Sequence, residues 1–162
     1  DPHKMFVANT DANFGFSNNN FNVNVGASFF NNPHNTRDTS GTQTITAVNQ
    51  AYGGYTRIGV IKRIAFLGEI DFQENTSDRP LRRSLFGYAE LNFLAIKGVE
   101  LRSQYEYYDI NRDITGDHIQ RISGGVGLFP FYGFETELMV RFPIEDPEKK
   151  NNEFQWNFHF YF

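Results

Sequence analysis

Apolar and polar residues alternate along nearly the whole chain, most cleanly at its end. From Glu153 onward, Phe154, Trp156, Phe158, Phe160 and Phe162 share one parity, and Glu153, Gln155, Asn157, His159 and Tyr161 share the other. A period of two sends successive side chains to opposite faces of a strand. The same alternation predicts strands over Met5–Ser17, Phe21–Phe30, Gln43–Ile61, Ile64–Glu74, Ser84–Leu94, Val99–Asp109, Arg121–Phe129 and Phe134–Phe142. With the final segment this makes about nine strands of roughly ten residues, and helical spacing fits none of them as well.

The two parities differ in more than polarity. Glu69, Asp71, Glu90, Glu100, Arg102, Glu106, Arg121, Glu135, Glu137 and Arg141 all lie on the polar parity, mostly in mid-strand, whereas charges on the apolar parity sit at strand ends, as Arg83 does. The connections also alternate. Segments 17–20, 61–64, 95–98 and 129–133 are tight, and segments 31–42, 75–83, 111–118 and 144–152 are longer, polar and charged. A soluble sandwich or lipocalin-like barrel turns its apolar face inward and has no need of such asymmetry. A membrane-spanning barrel turns it outward, crosses with strands of about this length, and has short turns at one rim and long loops at the other. The expected fold is therefore all-β: an antiparallel transmembrane β-barrel, one domain over residues 1–162, with the charged parity lining the lumen. The first and last segments both run from the long-loop rim to the short-turn rim. Bacterial single-chain barrels have an even strand number and both termini at the short-turn rim. About nine strands starting at the other rim break that pattern, which favours the carboxyl-terminal part of a larger barrel, with strands upstream of this sequence.

Composition narrows the function. The chain has no Cys, which excludes a disulfide framework, a thiolate metal site, a thiol nucleophile and c-type haem attachment. A net charge of −4 argues against nucleic acid as a partner. Eighteen Phe residues need a dry or lipid environment. Mean hydropathy is only −0.50, which a spanning barrel tolerates because half of each strand faces a polar lumen.

The chain resembles the bacterial outer-membrane β-barrel superfamily. The closest match is the final strand, with Phe154, Trp156, Phe158 and Phe160 at alternate positions before Phe162. Porin-like barrels are also resembled by the Tyr88-Ala89-Glu90-Leu91-Asn92 run, the Tyr105–Asp113 strand-to-loop segment and the Gly125–Arg141 hairpin. The resemblance implies an outer-membrane location, a lipid surrounding, and a final strand read by the barrel-assembly machinery. It implies no cofactor.

Two readings of the charged parity stay open. It is either a salt-bridged filling of a narrow barrel or a pore lining that sets ion preference, with acids in excess and so mildly favouring cations. The corresponding functions are porin-like passage of small solutes or ions, and a scaffold barrel embedding other subunits of a secretion, transport or redox assembly. No catalytic residue is assigned, although His118 beside Asp117 allows an outer-membrane enzyme as a third reading. Asp109, Asn111 and Asp113, with Asp117 nearby, have the opening spacing of a calcium loop, but Ile114 and Gln120 stand where that loop needs Gly and Glu. Gly53-Gly54 and Gly124-Gly125 fall inside strands and read as close-approach or bend points.

Overall fold

A computed structural model describes residues 4–16, 20–37, 44–76, 81–144 and 151–161. It contains β1 (Phe6–Phe16), β2 (Phe21–Arg37), β3 (Thr44–Val60), β4 (Ile64–Asn75), β5 (Arg82–Ile96), β6 (Val99–Asp109), β7 (His118–Phe131), β8 (Phe134–Ile144) and β9 (Glu153–Phe160). The nine strands form one sheet in chain order, each antiparallel to its neighbours. The all-β antiparallel expectation is met, and among the described residues the sheet is not closed into a barrel. β1 and β9 each have a single neighbour, so the sheet is open. In an up-and-down sheet the first and ninth strands run the same way, so closing this one on itself would take a parallel pair, and β1 and β9 form none.

A second expectation is corrected at β2 and β3. Segment 31–42, read as a loop from its polarity, is strand as far as Arg37, paired from Asn31↔Gln50 to Arg37↔Thr44. Backbone pairing needs no apolar side chains. Facing a β-branched run in Thr44–Val48, the Asn-rich stretch still satisfies its donors and acceptors. The resulting hairpin extends past the start of β1, whose Phe6 pairs with Asn31. The other strands begin and end within a few residues of their predicted limits.

The strand ends Phe16 and Phe21, Val60 and Ile64, Ile96 and Val99, and Phe131 and Phe134 lie at one rim, and Arg37 and Thr44, Asn75 and Arg82, Asp109 and His118, and Ile144 and Glu153 at the other. Gly98 and Gly133 take positive φ (83° and 81°) at two of the short turns, a conformation glycine adopts without a Cβ penalty.

Register forces a separation of faces, because paired residues point to the same side of a sheet. Burial then runs opposite to that of a water-soluble sheet. Among the described residues, the buried apolar side chains are Ala47 and Met139, while the buried polar group includes Ser84, Ser123, Glu135 and Glu137. Phe14, Phe29, Leu91, Ile122, Phe142 and the β9 aromatics are exposed on the opposite face. The best-enclosed region is the polar face of β5–β8.

Candidate functional site

All ten charged residues singled out from the sequence come to one face. The register rows Glu69↔Tyr88↔Glu106↔Arg121, Asn92↔Arg102↔Gly125 and Gly127↔Glu137↔Asn157 run across it. Asp71, Glu90, Glu100, Glu135 and Arg141 share their parity.

Arg102 on β6 is the centre of this face. Its Nε donates to Glu100 at 2.7 Å, its Nη1 to Glu137 at 2.7 Å and its Nη2 to Glu135 at 2.8 Å. The two distal carboxylates belong to β8, so the guanidinium passes over β7. On that path β7 presents Gly127. The guanidinium lies against Gly127, 3.5 Å from where a Cβ would stand, so a longer side chain would fill its path. Glu135 and Glu137 are 5% and 8% exposed. A planar guanidinium with five donors suits such multidentate pairing. The remaining oxygens are also engaged: Tyr161 donates to Glu135 at 2.7 Å, Asn157 donates to Glu137 at 3.3 Å, and His159 Nδ1 lies 3.4 Å from Glu135. The bond to Glu135 raises the pKa of the Tyr161 phenol above its ordinary value, because it favours the protonated form.

Two further polar groups adjoin this one. Glu90 accepts from Tyr88, Asn92 and Gln104. Glu106 lies 3.8 Å from Arg121 and 3.9 Å from Arg141, and Arg141 also bonds Glu153 at 3.0 Å. The Glu106–Arg141 contact is an ion pair without a hydrogen bond, Glu106 Oε2 and Arg141 Nε both being buried. Asp71 folds over β3 where a Cβ on Gly53 would overlap its Oδ1, and a Cβ on Gly125 would overlap Met139. Gly53 and Gly125 are thus close-approach points, as expected from sequence, whereas at Gly124 an added Cβ would meet open space.

The polar face changes character across the sheet. On β1–β3 it is mostly amide and glycine: Asn24 donates to Asp11 at 3.0 Å and to Asn13 at 2.7 Å, and Arg57 stacks over Tyr55 at 5.2 Å. From β4 onward it is densely charged.

The other face is an aromatic surface. On β9, Phe154 and Trp156 are 68% and 57% exposed, with Phe158 and Phe160 beside them. Phe134 packs at a tilt against Phe160 with ring centroids 5.0 Å apart, and Trp156 packs on Phe158 at 4.8 Å. Phe162 lies outside the described residues. Arg83, the strand-end charge on this face, pairs with Glu74 at 3.3 Å.

The calcium-loop candidates do not converge. No group of three metal-ligating side chains of the His, Asp or Glu type is found among the described residues. Asn111 instead accepts from the Asp113 N–H at 3.3 Å and shapes the β6–β7 connection. His118 stacks on Tyr107, centroids 5.7 Å apart. Selection by charge missed Tyr88, Asn92, Gln104, Asn157 and Tyr161, which complete the network. Their parity, shared with the charges, is the signal that could have found them.

No protein-family model matches this chain, and no curated protein or solved structure matches it.

Proposed function

We propose that this sheet is the wall of a β-barrel in the bacterial outer membrane, aromatic face to lipid and charged face to a polar lumen through which small solutes or ions pass. The inverted burial supports this reading: carboxylates are enclosed on one face while phenylalanines and a tryptophan stand exposed across the other. In water such a face would exceed by far the few hundred Å² of contiguous apolar surface that monomers expose. In lipid it needs no cover. Mid-strand placement of the charges fits the same reading, since on the lipid side each would cost roughly 2–4 kcal/mol at mid-depth.

Acidic groups outnumber basic ones on the polar face, from Asp11 to Glu153, so the preferred solutes are cations. The exposed aromatic stripe of β9 is the handle that the barrel-assembly machinery would read. A scaffold role around other subunits is the second reading. It is favoured by the Arg102 cluster, whose engaged carboxylates resemble a fixed filling more than a mobile ion path.

Reconstitution in planar bilayers tests the choice. Ohmic single-channel currents with a cation-selective reversal potential support passage. A chain that inserts but carries no current, and co-purifies with a membrane partner, supports the scaffold. Free solubility without detergent, with the aromatics packed in a dry interior, overturns both.

A further inference from the structure

We infer that the short-turn rim carries a binding site for the headgroups of anionic phospholipids. The inference rests on the membrane reading above and adds a lipid class and a side of the membrane to it.

The first observation is a strained turn. β3 and β4 are joined through Ile61-Lys62-Arg63, closed by a bond from the Arg63 N–H to the Val60 carbonyl at 3.0 Å. Ile61 and Lys62 both have positive φ, 47° and 56°. A β-turn whose two central residues both have positive φ favours Asn-Gly there, and positive φ in a β-branched residue is a genuine outlier. Ile61 gains no burial in return, being 58% exposed. Strain kept at a position that contributes nothing to packing points to function. What the turn achieves is to hold an isoleucine outward next to two cations.

Charge is the second observation. Lys62, Arg63 and Lys97 are the charged residues of the short connections, all exposed and all positive, on a chain whose net charge is −4. None of the three forms an ion pair with an acidic group among the described residues. At the opposite rim the charges are mixed: Glu74 pairs with Arg83 across β4 and β5, and Arg112, whose N–H bonds the Arg83 carbonyl at 2.8 Å, shares the β6–β7 connection with Asp113 and Asp117. The two basic turns are neighbours, since the Leu94 N–H bonds the Arg63 carbonyl at 2.7 Å.

Apolar surface is the third. Ile96, beside Lys97, is 66% exposed, and Phe131 and Tyr132 extend the same rim. A half-open cavity of about 660 Å³ lies between Lys97-Gly98 and the Phe129–Gly133 turn. Isoleucines and aromatics at interface depth with lysine and arginine heads alongside match a phospholipid at its phosphate: apolar groups meet the upper acyl chain and the cations meet the anionic headgroup.

The test uses the whole chain refolded into vesicles of phosphatidylcholine mixed with phosphatidylglycerol, followed by native mass spectrometry of lipid that stays bound after extraction. The unmodified chain should retain phosphatidylglycerol several-fold over phosphatidylcholine. Lys62→Gln with Arg63→Gln and Lys97→Gln should abolish that preference. Arg82→Gln with Arg83→Gln and Arg112→Gln, the same loss of charge at the other rim, should keep it. Ile61→Asn with Lys62→Gly should raise the Tm by relieving the turn while lowering retention. Excess inorganic phosphate should not displace the lipid. No preference in the unmodified chain, equal losses in the two triple variants, displacement by phosphate, or no rise in Tm would each overturn the inference. Flotation with pure phosphatidylcholine vesicles separates the two levels. A chain that fails to float refutes the membrane reading, and one that floats without phosphatidylglycerol preference refutes the headgroup site alone.

Discussion

Leu91 and Leu67 form a matched pair for testing which face meets lipid. They lie on adjacent strands at nearly the same level, because Leu67 pairs with Glu90 and Leu91 pairs with Phe66. Leu91 belongs to the aromatic face, between Phe66 and Ser103, and is 49% exposed. Leu67 belongs to the polar face, between Arg57 and Glu90. The apolar positions of β5 run from Leu85 to Phe93, with Ala89 at their centre. Leu91 is two residues on, about 7 Å along the strand, which under the proposed membrane reading is about 5 Å from mid-depth at a tilt of roughly 45°. An arginine there should cost on the order of 2 kcal/mol, about 30-fold in the folding equilibrium. Leu67→Arg places the same group beside Glu90, on the polar face, and should cost well under half as much. Urea-dependent folding into phosphatidylcholine vesicles, followed by Trp156 fluorescence, measures both. A water-facing Leu91 predicts a change within about 0.5 kcal/mol. That result, or a larger loss for Leu67→Arg, would refute the face assignment.

Arg102→Gln leaves Glu135 and Glu137 enclosed without their cation and should cost roughly 3–5 kcal/mol in the same assay. Adding Glu135→Gln and Glu137→Gln should recover much of the loss, and no recovery would mean that Arg102 acts through packing alone. If the polar face lines a conducting lumen, Glu90→Gln with Glu106→Gln should shift the reversal potential in a salt gradient toward lower cation preference, and an unchanged potential would remove these residues from the ion path. Trp156 fluorescence should be strongly quenched by lipids brominated on their acyl chains, and an absent effect would place the β9 stripe outside the bilayer. Phe158→Ser with Phe160→Ser should lower the assembled amount in the outer membrane, whereas a normal level would separate the aromatic stripe from assembly.

Strand number and face were legible because both follow from a period of two, which sixteen or so consecutive residues cannot conceal. β6 was read without error, since Val99 and Asp109 sit where alternation stops. The extension of β2 to Arg37 was not legible, because hydropathy reports the environment of side chains and says little about backbone pairing in an Asn-rich stretch. The identity of the charged residues was readable, but their grouping was not. That Arg102 reaches two strands away over Gly127 is a fact of register. The burial of Met139, on the polar parity, likewise depends on Gly125 across from it. The odd strand count and the shared direction of the first and last strands, which bar antiparallel closure, were legible from the alternation and the connection lengths.

β1 and β9 are bare borders. Neither contains Lys, Arg or Pro, and neither ladder that holds them is interrupted by a bulge. These are the devices by which exposed edges in water ward off unwanted partners. Their outward N–H and C=O groups would template any extended peptide in aqueous buffer, and in oil each unmet group would cost several kcal/mol. A second copy inserted with the same orientation brings its own borders pointing the same way, so every such junction would be a parallel seam in an otherwise antiparallel fabric. Only an odd number of intervening strands joins the two borders without changing the weave.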